Sequence, residues 1–134
     1  MIADSYDKVL FKKALDNLSN AYCPYSEFPV SAVLVGESGK EYTGVNIENA
    51  AYPAGICAER TAMSKAVSEG ERNFERIVIA TAKGEGWPCG ICRQFMYEFA
   101  PEIMIITGKS RDELNMRTLT ELLPAGFVLK GGDK

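Results

Sequence analysis

The chain has 134 residues, 46% of them apolar and 25% charged, a composition that suits one compact domain and lies far from the disordered range. Its formal net charge of −3, with no clustered lysine or arginine, argues against a nucleic acid polymer as partner, because such binding rests on a basic surface. Histidine is absent, which excludes Ser-His-Asp triads, Cys-His pairs and imidazole metal ligands; proton transfer then falls to carboxylate, lysine, tyrosine or cysteine, and a transition metal to thiolates with or without carboxylates.

Residues 4–21 read as a helix. Phe11, Leu15, Leu18 and Tyr22 recur at helical spacing, Asp4 is a candidate N-cap, and Pro24 ends the segment. Asp4, Asp7, Lys8 and Lys12 interrupt the apolar residues here, unlike a secretory signal, and no apolar run reaches bilayer length. A cytoplasmic protein with no membrane partner is therefore expected. Residues 30–35 and 41–46 form a predicted hairpin across the turn Glu37-Ser38-Gly39-Lys40. A helix is expected over 57–70, stopped by Gly70, then a buried strand over 77–81. Pro88 opens another helix, which ends near Phe99 before Pro101. A strand over 103–107 and a short helix over 118–123, stopped by Pro124, complete the order. No repeat or linker divides residues 1–134, so one domain is expected. Strand-helix-strand crossovers in the second half favour parallel pairing there. The expected fold is a three-layer α/β/α sandwich over a mixed sheet.

Four cysteines occur, at positions 23, 57, 89 and 92. In a reducing compartment a metal or redox role precedes a disulfide. Cys89 and Cys92 lie at i and i+3 at a helix start, where both thiolates can point at one ion. Exposed N–H groups and the positive end of the helix dipole favour thiolate over thiol there. Cys57 also stands where a helix begins, with Glu59 beside it. Two helix N-termini can thus present three thiolates and one carboxylate to one point. Three ligands leave zinc an open position for water, as in catalytic rather than structural sites. Two alternatives remain at this level: a C-x-x-C redox pair, and a closed structural zinc site with Cys23 as fourth ligand.

Arg60 has an electrostatic role to play. Three thiolates on a divalent ion leave an excess negative charge that weakens its power to acidify water. A neighbouring guanidinium, Arg60 and with it Arg93, can donate to sulfur and offset that charge.

Cys57-Ala58-Glu59-Arg60, followed by Pro88-Cys89-Gly90-Ile91-Cys92-Arg93-Gln94, resembles the cytidine deaminase signature. The likeness extends to Tyr25-Ser26-Glu27-Phe28, to Asn46-Ile47-Glu48-Asn49-Ala50-Ala51-Tyr52, and to Glu121-Leu122-Leu123-Pro124 with Phe127, in order and spacing. It covers nearly the whole chain and is to the short, three-cysteine, homotetrameric kind. The resemblance implies a mixed five-stranded sheet and one Zn2+ per chain, bound by Cys57, Cys89 and Cys92. It makes Glu59 the proton shuttle. Asn46 and Glu48 would hold the ribose hydroxyls, the Ala58 N–H the base carbonyl, and Phe28 the pyrimidine face. Tyr52 and Phe127 would reach a neighbouring subunit's pocket. The implied reaction is hydrolytic deamination of cytidine or deoxycytidine to uridine or deoxyuridine, a step of pyrimidine salvage. Pro53-Ala54-Gly55-Ile56 and Trp87 depart from the family's pattern. Blasticidin-type deaminases share the metal motifs without the N-x-E-N sugar motif, so Asn46-Ile47-Glu48-Asn49 favours a nucleoside over that alternative.

Overall fold

The computed structural model describes residues 3–129. The expected order of elements holds, with one addition. α1 (Ser5–Asn17) is followed by the hairpin β1 (Val30–Gly36) and β2 (Glu41–Val45), then α2 (Ala58–Ser68), β3 (Phe74–Thr81), α3 (Gly90–Tyr97), β4 (Met104–Gly108), β5 (Leu114–Thr118) and α4 (Leu119–Leu122). The strands form one mixed sheet in the order β2-β1-β3-β4-β5, in which β3 and β4 run parallel and the other neighbours antiparallel. β5 is the addition: residue-level patterning showed four strands, and only the family resemblance implied a fifth.

The sheet is the middle of three layers. Alternation along β1 and β3 sends Val33, Val35, Val78 and Ala80 to one face, where Leu10, Phe11 and Ala14 of α1 cover them. Ala32, Leu34, Ile77 and Ile79 go to the other face, under Ala62, Met63 and Ala66 of α2 and Met96 of α3. Among the described residues no helix is long and apolar enough to cross a membrane.

α1 begins where expected, because Asp4 accepts from the Asp7 N–H at 2.9 Å while Asp7 accepts from the Asp4 N–H at 3.0 Å. Of the expected apolar face, Phe11 is buried and Leu15 packs partly against the core, but the helix ends at Asn17, so Leu18 and Tyr22 lie beyond it and Tyr22 is 57% exposed. Asp7, Leu10 and Ala14 complete the buried face. The buried Asp7 is matched by Arg76 of β3, which donates to its Oδ1 at 2.6 Å.

The placement of α2 decides where the chemistry can occur. Gly44 of β2 lies directly beneath it. A Cβ at Gly44 would fall 2.5 Å from the Ala62 nitrogen and 2.6 Å from the Ala58 carbonyl oxygen. Both are backbone atoms of a packed helix and cannot swing aside. Gly44→Ala is therefore expected to lift the start of α2 and to cost about 1–3 kcal/mol or more, as overpacking does. A fall in the urea midpoint at unchanged slope checks this.

Candidate active site

Two helices begin at the same place. Cys57 is the N-cap of α2 and Cys89 the N-cap of α3, and neither side chain caps its own helix. Both sulfurs are therefore free to turn outward. Cys92, one turn into α3, is fully buried beneath them. The three Sγ atoms lie within 4.8 Å of one another, and Cys57 and Cys89 are 3.8 Å apart. A tetrahedral site with Zn–S bonds of about 2.3 Å requires sulfurs about 3.8 Å apart. The donor set thus fits zinc in both chemistry and spacing. Cys23 lies outside this group.

The three thiols share their protons unequally. A hydrogen bond from Cys92, with further ones from Arg60 and Cys89, outweighs burial and holds the Cys57 thiol down to about 5. That same hydrogen bond, then burial, pushes Cys92 far up. Burial disfavours the Arg60 charge, yet hydrogen bonding to Cys57 and Cys92 prevails and raises its pKa. Arg93 faces backbone instead: its Nε donates to the Pro88 carbonyl and its Nη1 to the Leu122 carbonyl, both at 2.7 Å. The charge-offsetting position expected of both arginines is therefore occupied by Arg60, and Arg93 braces the turn that carries Cys89.

Glu59 is only 4% exposed. Burial raises its pKa to about 7, with the Cys57 charge adding and Arg60 opposing. Such a carboxyl can exchange a proton near neutrality.

A cleft of about 490 Å³ opens onto this cluster, lined by Cys57, Ala58, Glu59 and Cys89 at one end and by Phe28, Val30 and Asn46 elsewhere. Asn46 bridges the backbone of the segment opposite. Its Oδ1 accepts from the Val30 N–H and its Nδ2 donates to the Phe28 carbonyl, both at 2.9 Å. One amide hydrogen and one lone pair remain for a ligand. A second cleft, of about 390 Å³, is lined by Tyr25, Glu48, Asn49 and Tyr52, and Ser26 lines both. Glu48 Oε1 accepts from the Tyr25 and Ser26 N–H groups at 3.0 and 3.1 Å. Hydrogen bonds from Ser26, side chain and backbone, hold its carboxyl below the usual range. Phe127 is not brought to either cleft. Its backbone pairs with the Gln94 amide on the outer side of α3, and its ring is 64% exposed.

Some lining residues were not expected. Thr81, Glu85 and Gly86 belong to the wall, and so does Trp87, noticed in sequence only as a departure. Thr81 is the last residue of β3, and the others come from the loop after it, for which no periodicity gives a direction.

Residues 4–107 match the family model described as the cytidine and deoxycytidylate deaminase zinc-binding region. The chain belongs to this family. It is 46% identical over 109 residues to a cytidine deaminase of Sporosarcina psychrophila, covering 80% of each chain. It is 43% identical over 123 residues to one of Halalkalibacterium halodurans, covering 90% of this chain and 93% of that one. The fold matches the crystal structure of cytidine deaminase from Burkholderia pseudomallei with a TM-score of 0.84 at 35% identity, over 93% of this chain and 100% of the other. As a family member the chain is a zinc enzyme, and its three-cysteine cluster accommodates one ion.

Metal content separates this cluster from a closed four-cysteine site. Purified Cys23→Ala should keep one zinc per chain by elemental analysis, whereas Cys92→Ala should lose nearly all of it. Loss of zinc from Cys23→Ala would restore the closed structural site.

Proposed function

We propose that this chain deaminates cytidine and deoxycytidine hydrolytically, giving uridine or deoxyuridine and ammonia. The observation that carries this reading is Glu59, a buried carboxyl on the cleft wall between thiols that converge from two helix N-termini. Cys57, Cys89 and Cys92 would hold the zinc, which when bound would supply the acidified water that the reaction needs.

The remaining work falls to the chain's own groups. Glu59 takes one proton from the attacking water and passes it to ring nitrogen N3; it then takes the proton of the new C4 hydroxyl and delivers it to the exocyclic nitrogen, so that the C4–N bond breaks, ammonia leaves and the C4 carbonyl forms. One carboxyl serves every transfer in a chain that has no histidine. Arg60 offsets the thiolate charge beside it. Phe28 packs on the pyrimidine face, and the Ala58 N–H, at the first turn of α2, meets the base carbonyl. Asn46 offers its spare donor and lone pair to the ribose. Glu48 offers its second oxygen, since Oε1 is already engaged. Sugar contacts fix the reacting ring and shorten the search for the reactive pose. Reduced thiolates fit a cytoplasmic setting.

A homotetramer completes the reading. Tyr52 is 77% exposed beside the Glu48 cleft, and Ile91 and Phe127 are 67% and 64% exposed near α3. These apolar groups suit contact with further copies of the chain, where Tyr52 and Phe127 close a neighbour's cleft. Light scattering should give the mass of four chains; a fully active monomer would overturn it.

Glu59→Ala tests the chemistry. General acid–base catalysis is worth about 10²–10⁴-fold, and one group serving several steps should reach the top of that range or beyond it. The purified variant should keep its zinc and lose turnover by about 10⁴-fold. Turnover within tenfold of the parent, with zinc retained, would refute the role of Glu59. Free cytosine should be a poor substrate, and a catalytic efficiency on cytosine equal to that on cytidine would remove the sugar-binding assignment.

A further inference from the structure

The loop between β3 and α3 forms one wall of the active-site cleft through Glu85, Gly86 and Trp87. Trp87 is the chain's only tryptophan and lies two residues before Cys89. It is half-buried and packs against the core beneath α2 and α3.

This indole is held from the far edge of the sheet. Asn115 and Arg117, two apart on β5, share one face of that strand. Asn115 donates from Nδ2 to Glu85 Oε2. The other oxygen of that carboxylate accepts from Trp87 Nε1 at 3.4 Å. The Arg117 guanidinium lies over the indole, 5.7 Å from the ring centre, within cation–π range. The loop backbone is tied as well. Gly86 N–H donates to Thr107 Oγ1 at 2.9 Å, and Thr81 Oγ1 donates to the Gly84 carbonyl at 2.8 Å. A side chain anchored in this way is a fixed wall and not a mobile mouth residue.

The lining of the cleft suggests which part of a substrate it would face. Ser26 lines both this cleft and the one that holds Glu48, so the ribose would take the side that the two share. The reacting carbon would lie toward Cys57, Glu59 and Cys89. Trp87, two residues before Cys89 and on the same cleft wall, would then face the edge of the ring that carries the exocyclic amine and carbon C5.

We propose that Trp87 is the specificity-determining residue for this edge of the base. The indole limits the size of substituents on the exocyclic nitrogen or at C5, and Asn115 and Arg117 are positioning residues that keep it there. The inference rests on the deaminase reading above.

The test compares kcat/KM for cytidine, 5-methylcytidine and N4-methylcytidine in the parent, Trp87→Ser, Arg117→Ala and Arg117→Lys. The readout is the ratio of methylated to unmethylated substrate. A single methylene in a tight apolar pocket changes such ratios by about 10–200-fold. Trp87→Ser should raise the ratio for one or both methylated substrates by about tenfold or more. Arg117→Ala should shift it the same way by less, and Arg117→Lys should restore it. An unchanged ratio in Trp87→Ser overturns the proposal. If that variant does not fold, intrinsic fluorescence of the parent decides. Saturating uridine, with binding confirmed by calorimetry, should change the emission of the single tryptophan, and an unmoved spectrum overturns the proposal. A parent that binds cytidine with an emission change but does not deaminate it would sink the deaminase reading and leave the wall in place.

Discussion

Like charges repel, and this site gathers three thiols, a carboxyl and the charge they carry at one point. Everything else in the fold follows from making that gathering possible. The sheet sets β2 and β3 parallel with β1 between them, so that α2 crosses the sheet and starts beside the hairpin. Because β2 and β3 run the same way, α2 and α3, which follow them, start at the same end of the sheet. Gly44 lets the first turn of α2 lie on the backbone of β2. Arg60 then sets a positive side chain against Cys57 and Cys92.

The polar groups around the cleft also hold the structure that presents them. Asn46 ties Phe28 and Val30 in place with the same amide whose remaining donor and acceptor face the cleft. Glu48 gathers the Tyr25 and Ser26 N–H groups and so shapes the segment leading to Phe28. Arg93 joins the Cys89 turn to α4. Each such side chain is oriented by the backbone before any ligand arrives, which reduces the ordering cost of binding.

What was legible in the sequence and what was not divides along the range of the interactions involved. The clustering of Cys57, Cys89 and Cys92 was legible because helix starts are local and metal chemistry restricts residue types sharply, whereas Glu59 stood out only through the family signature. The hairpin was legible for a similar reason, since its register depends on a short turn. The buried face of α1 was legible only in part: Phe11 and Leu15 were found, but the buried Asp7 was not, because its partner Arg76 is 69 positions away. β5 was hidden by its composition: Asn115 and Arg117 alternate with Leu114 and Met116 in a five-residue edge strand. That same strand holds Trp87, so a wall of the cleft stayed invisible for want of its support.

The helix ends themselves show how stability and chemistry were reconciled. α1 and α4 start with reciprocal caps, Asp4 with Asp7 and Thr118 with Glu121. α2 and α3 start with cysteine and have no side-chain cap. A good N-cap is worth about 0.5–2 kcal/mol relative to a poor one, so these two helices forgo stabilisation that the other two have. Part of it returns in another form. A thiolate at a helix N-terminus gains about 0.3–1 kcal/mol from the dipole at an exposed site and more where partly buried. Ala58, the first residue of α2, lines the cleft beside Cys57, so the start of the helix is itself part of the cleft wall. The two helix starts thus forgo a capping bond and turn a sulfur outward in its place.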